Sequence, residues 1–348
     1  MPRCDPAACG RSADTIVIEV AGHDLAGATI YCIHLRNDGI QARVLSFGAI
    51  LQDLRISGYD HPLVLGYEAV APYLVDQNYF GATVGRVANR ICDGVAHIDG
   101  TTHQLDRNTP QGHHIHGGSN GTGSRNWTVL DHSETHVVLQ DHLPDGHMGY
   151  PGNLSVELRL ELSGDQTLSV EITARTDKPT LCNFAHHSYF NLGKHPTIAG
   201  HRLAVRADDY VVVDDAGIPT GEVRPVAKTE FDLRSGVLLD DGSRYDHNFC
   251  LARRMGGLQH VASLTSPEGT LRMDIATTDT GLQVYTGHGI TQTDVQQNHL
   301  RFAPLAGIAL EPQSWPNAVN HADFPSTLLL PEQSYRQMSR FSFQGNPA

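Results

Sequence analysis

Leu154-Ser155-Val156-Glu157-Leu158-Arg159-Leu160-Glu161-Leu162 alternates apolar and polar side chains without a break. Successive side chains of an extended chain point to opposite faces, so this run reads as a strand with one face in a core and the other in water. Ser163-Gly164-Asp165-Gln166 then supplies a turn, and Leu168, Val170, Ile172 and Ala174 resume the same alternation. The two runs predict an antiparallel hairpin.

The pattern recurs along the chain. Val95-Ala96-His97-Ile98 and Thr101 to Leu105 flank Asp99-Gly100, a pair able to take positive φ, and Leu271, Met273 and Ile275 follow the turn Ser266-Pro267-Glu268-Gly269. Helical periodicity is scarce, with one short helix expected over Pro72 to Phe80. The 34 Gly and 18 Pro punctuate many short strands. Together these features predict an all-β fold, antiparallel and packed sheet on sheet.

Neither repeats nor linkers interrupt the chain, and a single domain is expected over residues 15–343, with loose ends at 1–14 and 344–348. The 38 acidic residues outnumber the 25 Lys and Arg, a net charge of -13 with no local basic run. Such a surface repels phosphate backbones and anionic lipid, which argues against nucleic acid and membrane partners. No secretory signal or apolar stretch of membrane-spanning length is present, and Cys4, Cys9, Cys32, Cys92, Cys182 and Cys250 are scattered without a C-x-x-C pair. A cytoplasmic protein with free thiols is the expectation, so three N-x-S/T sequons carry no weight.

Five polar clusters break the alternation. Gly81 to Ile91 places Arg86, Asn89 and Arg90 among small residues; structural salt bridges are one reading, and a phosphate loop is disfavoured by the spacing. In Gly112 to Gly118, His114 and His116 would share a strand face as metal ligands can. No Glu or Asp lies within ten residues downstream of His116 and no Cys is nearby, so no metal is expected. Ala185-His186-His187-Ser188-Tyr189-Phe190-Asn191-Leu192 concentrates imidazoles and hydroxyls, which can move protons near neutrality without a cofactor. Asp246 lies in Arg244-Tyr245-Asp246-His247-Asn248-Phe249, as a turn cap or a site residue. Glu311, behind the apolar Ile308-Ala309-Leu310, should sit at the end of a buried strand, where desolvation raises a carboxyl pKa towards that of a general base. Trp315 beside Pro316 offers a flat face for a sugar ring or a plug for a core.

Gly85-Arg86-Val87-Ala88-Asn89-Arg90-Ile91, His116-Gly117-Gly118, His187 to Leu192, Asp246-His247-Asn248-Phe249, Gln283-Val284-Tyr285-Thr286-Gly287, and Glu311-Pro312-Gln313 with Asn317 to Asn320 resemble, in order, the galactose mutarotase (aldose 1-epimerase) family. The resemblance spans roughly residues 15–340. It implies a large antiparallel β-sandwich with a cleft across one sheet, and interconversion of the α and β anomers of an aldohexose such as galactose or glucose. It further implies no cofactor, Glu311 as general base and His187 as general acid. His116 would lie near the ring oxygen, with Asn89, Arg90, Asp246 and Gln283 on the sugar hydroxyls.

The chain departs from the family pattern at His186, where Asn is common before the catalytic His. Its imidazole could tune His187 or reshape the pocket floor. Two other classes compete with the anomerase reading. A glycoside hydrolase would pair Asp246 with Glu311 but has no need of a His acid, whereas a sugar sensor would have no reason to keep Glu311 and His187 together. A phosphorylated hexose would call on Arg86, Arg90 or Arg244.

Overall fold

In the computed structural model, which describes residues 17–76, 78–291, 296–297 and 300–346, the hairpin forms as read. Strands Leu154–Ser163 and Thr167–Thr176 pair from Leu154 opposite Thr176 to Ser163 opposite Thr167. The second hairpin pairs Val95–Ile98 with Thr101–Gln104, and Asp99 and Gly100 both take positive φ at its turn. The third pairs Gln259–Thr265 with Leu271–Thr277.

These hairpins belong to an all-antiparallel architecture with three principal sheets. Nine strands lie in the order Thr128–His132, His136–Leu143, Leu154–Ser163, Thr167–Thr176, Tyr335–Gly345, Leu271–Thr277, Gln259–Thr265, Arg202–Val205 and Val237–Leu238. Six form a second sheet in the order Tyr189–Phe190, Ile308–Gln313, Gly281–Tyr285, Asp246–Cys250, Asp209–Val213 and Pro219–Pro225. Four near the N-terminus, Ile18–His23, Thr29–Asn37, Ile40–Leu45 and Ile50–Ile56, form a third. One continuous apolar core joins them, with Leu158, Val170, Ile275 and Phe341 of the nine-stranded sheet packed among Phe249, Leu282, Val284, Ile308 and Leu310 of the six-stranded sheet. Alternation along those six strands sends Ala309, Glu311 and Gln283 to the opposite face.

Two sequence expectations change. Pro72 to Phe80 forms only a single 3-10 turn, Ala71–Leu74, because Tyr79 and Gly81 take positive φ and swing the chain into strand Ala82–Val84. At the C-terminus, pairing with Leu271 and Arg272 holds Gln344 and Gly345 in the sheet, two residues into the end expected to be loose. The expected loose residues 1–14, with Cys4 and Cys9, lie outside the described residues.

Candidate active site

The site is built on the face of the six-stranded sheet turned away from the core. Register sets Asn248, Gln283 and Glu311 side by side on three neighbouring strands, with Asp246, Tyr285, Ala309 and Tyr189 as the next row. Directly opposite residues of an antiparallel pair share a face, so sequence-distant polar groups converge here. Glu311 follows Leu310 in the strand, as expected, and is 2% exposed.

His187 reaches Glu311 from outside that sheet. It ends the short strand Ala185–His187, which pairs with Ala82–Val84, and its Nε2 lies 3.6 Å from Glu311 Oε2. Tyr189 and His116 flank its ring at centroid distances of 5.0 and 5.2 Å. Burial pulls the His187 imidazole down to about 4, while burial first and the Asp246 charge second push Glu311 well above the ordinary carboxyl range, with Arg90 opposing. Each shift disfavours a charge in low dielectric. Glu311 Oε2 is buried without a hydrogen-bond partner, as are Gln283 Oε1 and both polar atoms of the Asn248 amide. Unsatisfied buried polar atoms are costly and uncommon, and four in one cleft suit a polyhydroxylated ligand.

His116 and Asn89 hold each other. The Asn89 N–H donates to His116 Nδ1 and the His116 N–H donates to Asn89 O, both at 3.2 Å, while both residues take positive φ. Accepting at Nδ1 fixes the neutral tautomer with its proton on Nε2, and burial keeps the ring neutral. Gly117 permits this fold-back, because a Cβ there would meet Gly85 O at 1.8 Å. Asp246 accepts from Gln283 Nε2 at 2.6 Å and from Arg90 Nη1 at 3.5 Å, a strand residue and not a turn cap. Asn317 N–H donates to Arg90 O and its Oδ1 accepts from Cys92 N–H, so the stretch after Glu311 fixes the Arg90 segment.

All seven residues singled out from the sequence, Asn89, Arg90, His116, His187, Asp246, Gln283 and Glu311, are thus linked through contacts in one region. A narrow recess is lined by Asn89, Gly217, Asp246, Asn248, Gln283 and Pro316. An opening of about 1500 Å³ beside the N-terminal sheet is lined by Tyr79 and Ile115 but by none of the seven. Tyr79 and Asn248 were missed. Tyr79 packs 4.7 Å from His116 and 6.1 Å from His187, and no pattern in its segment announces that. Asn248 was legible, since period two puts it on the face of Asp246.

Other side chains lie elsewhere. His114 and His116 do not share a face: the His114 ring bonds Asp106 O at 2.7 Å and the Tyr150 hydroxyl at 2.6 Å, and the strand ends at Ile115. His186 alternates away from His187, into the core, where it bonds Ser188 Oγ at 2.8 Å and meets the Phe341 ring. It therefore touches neither His187's reactive edge nor the pocket floor. Trp315, 1% exposed, is a plug, its Nε1–H donating to Thr280 O. Of the salt bridges considered for Arg86 and Arg90, only Arg90 makes one, with Asp246; Arg86 donates to Pro151 O, Gly152 O and Thr180 Oγ1, and Arg244 donates to Asp241 O and Ser243 O.

Comparison with known proteins places this arrangement. Residues 31–342 match the sequence pattern of the aldose 1-epimerase family. The chain belongs to the aldose 1-epimerase family. It is 36% identical to human galactose mutarotase over 331 residues, 91% of this chain and 95% of that protein. It is 32% identical to Escherichia coli K12 aldose 1-epimerase over 327 residues, 89% and 94% of the respective chains. Among solved structures it resembles galactose 1-epimerase from Lactobacillus acidophilus, with TM-score 0.83, 29% identity and coverage of 94% and 98%. An aldose epimerase homologue from C. elegans superposes with TM-score 0.84, 29% identity and coverage of 90% and 98%. As a family member the chain is a carbohydrate isomerase that interconverts sugar anomers, and its sandwich is the family's galactose mutarotase-like fold.

Proposed function

We propose that this aldose 1-epimerase acts on aldohexoses such as galactose and glucose, with Glu311 and His187 as the pair of proton carriers. The observation that supports the assignment is their approach: Nε2 and Oε2 stand 3.6 Å apart, both buried, on the cleft face. In ring opening Glu311 removes the O1 proton, the C1–O1 bond gains its second pair, the C1–O5 bond breaks, and O5 takes the proton from His187 Nε2. Rotation about C1–C2 presents the other aldehyde face. Closure reverses every transfer and returns Glu311 and His187 to their first protonation state.

Burial in the sugar-free site favours the uncharged arrangement, Glu311 protonated and His187 neutral. That is the form required by the open-chain aldehyde; the cyclic anomers require the ionised form. Transfer of one proton between Nε2 and Oε2 interconverts the two. A sugar hydroxyl donating to the orphaned Oε2 favours the carboxylate, so the ring itself draws the pair into the ionised form. His116 Nε2–H offers a donor near the ring oxygen, and Asn89, Arg90, Asp246 and Gln283 orient the remaining hydroxyls. No helix among the described residues is long and apolar enough to cross a membrane. The described cysteines Cys32, Cys92, Cys182 and Cys250 are free thiols, as suits a reducing compartment such as the cytoplasm.

Polarimetry on freshly dissolved α-galactose and α-glucose, at low temperature where spontaneous mutarotation is slow, tests this reading. Faster decay to the unchanged equilibrium rotation is expected with catalytic amounts of protein. No acceleration with either sugar would overturn the aldohexose assignment.

A further inference from the structure

The strands that carry the two proton carriers are not hydrogen-bonded neighbours. Ala185–His187 pairs with Ala82–Val84, whereas Ile308–Gln313 pairs with Tyr189–Phe190 and Gly281–Tyr285. The backbone ladder between the two segments stops two residues short of both groups, at Tyr189 opposite Ala309, so side chains complete the setting of the distance from His187 to Glu311.

One amide spans the gap. Gln337 lies on Tyr335–Gly345 in the nine-stranded sheet, where the inward positions run Tyr335, Gln337, Ser339, Phe341 and Phe343. It is 3% exposed, in the middle of the sandwich. Its Nε2 donates to Phe184 O at 3.1 Å, next to the His187 strand, and to Pro312 O at 2.8 Å, next to Glu311. The Asp279 carboxylate takes a third, short contact from the same nitrogen. Three acceptors around one amide nitrogen fix its orientation, since the amide oxygen in that place would face three lone-pair donors of electrons. A second tie runs nearby, where Asn183 Oδ1 accepts from Ser314 N–H at 2.8 Å.

We infer that Gln337 is a positioning residue for the epimerase reaction: its amide clamps the backbones before His187 and after Glu311 and so sets the separation of the two proton carriers from the opposite sheet. A buried amide in this row, otherwise three aromatic rings and a serine, costs desolvation that an aliphatic residue would avoid, unless all its hydrogen bonds are made. Gln337 contacts none of Asn89, Arg90, Asp246 or Gln283, so its effect falls on proton transfer and not on hold of the sugar. Misplacement of reacting groups by about 1 Å costs on the order of 100-fold in rate.

This inference rests on the assignment of Glu311 and His187 above, and both are tested in one series on the full chain. Gln337→Met keeps the volume and removes the donor; kcat should fall about 10- to 100-fold with KM within about twofold, and the limbs of the pH–rate profile should move, because the separation of the pair governs how it shares its proton. Gln337→Glu, protonated in this buried setting, keeps one donor and should recover part of the loss. Wild-type kcat and pH profile in Gln337→Met would overturn the clamp. So would a rate loss that only tracks the folded fraction by circular dichroism, with the profile unchanged. If Gln337→Met fails to fold, Gln337→Glu decides on the same terms, a lowered kcat with a moved profile supporting the clamp and wild-type values refuting it. Glu311→Gln in the same assay separates the two readings, since its full activity would refute the proton-carrier assignment itself.

Discussion

Glu311 Oε2 and His187 Nε2 face each other at 3.6 Å with no donor or acceptor of the protein bonded to that oxygen. The gap is too long for a hydrogen bond and short enough for strong coupling. On the proposed mechanism a sugar entering the cleft meets both groups at once, Glu311 to take the O1 proton and His187 to give one to O5.

Removing the carboxylate should therefore remove the reaction and spare the fold. Glu311→Gln is expected to lower kcat by at least about 100-fold while sugar still binds, as measured by polarimetry and calorimetry. His187→Asn should cost a comparable amount. Stability separates function from folding. Because the folded Glu311 pKa is raised above its unfolded value, wild type loses stability as pH climbs from the ordinary 4.5 to the raised value. Gln is free of that loss, so Glu311→Gln should melt at least as high as wild type at pH 7. A sharp drop in melting temperature would contradict the shift.

In the proposed mechanism the pair carries one proton between its two members. A second proton binds only when pH falls towards the lowered His187 value of about 4, and the last one leaves only above the raised Glu311 value. The kcat/KM profile, which reports the sugar-free enzyme, should have its acid limb well below the 6.5 of an ordinary imidazole. An acid limb centred near 6.5 would place a solvent-exposed His, and not His187, in control.

Asp246 and Arg90 pull Glu311 in opposite directions. The Asp246 charge raises the Glu311 pKa and the Arg90 charge lowers it. Asp246→Asn should move the alkaline limb to lower pH, and Arg90→Leu should move it to higher pH. Both should raise KM about tenfold or more through lost charge-assisted hydrogen bonds. Limbs that move together, or not at all, would show that the two charges do not reach Glu311. A dominant collapse of kcat in Asp246→Asn would revive a two-carboxylate mechanism.

Much of this was legible in the chain. Alternation revealed the hairpins because each strand buries one face, as in Leu154 to Leu162, and the apolar run before Glu311 fixed its burial. What the sequence withheld was set by contacts between distant segments. Tyr79 takes its place against His116 through a positive φ after a broken helix, and no periodicity encodes that. His186 was expected to tune His187 or reshape the pocket floor, yet a strand sends neighbouring residues to opposite faces, and only the pairing with Thr83 shows which imidazole faces the cleft. Nothing in the sequence marks Gln337, whose part depends on the two distant backbones it ties.

The buried imidazoles make acid the natural denaturant of this enzyme. His114, His187 and His201 are each pulled down to about 4, in every case chiefly by burial. Their folded values lie below the unfolded value of 6.5, so stability present above that pH is lost as pH falls from 6.5 towards 4, while the unfolded chain takes up protons that the native one refuses. At pH 5 the loss is about 2 kcal/mol for each such imidazole. His114 shows why the native state refuses: its ring already spans Asp106 O and the Tyr150 hydroxyl, and a proton on the nitrogen facing Tyr150 would displace the hydroxyl as donor. The urea midpoint should fall markedly between pH 7 and pH 5. His114→Gln should begin lower at pH 7, having lost a fitted ring, but lose less over the same interval. Equal midpoints at the two pH values in wild type would mean that the imidazoles titrate alike in both states, and parallel losses in wild type and His114→Gln would remove His114 from the account.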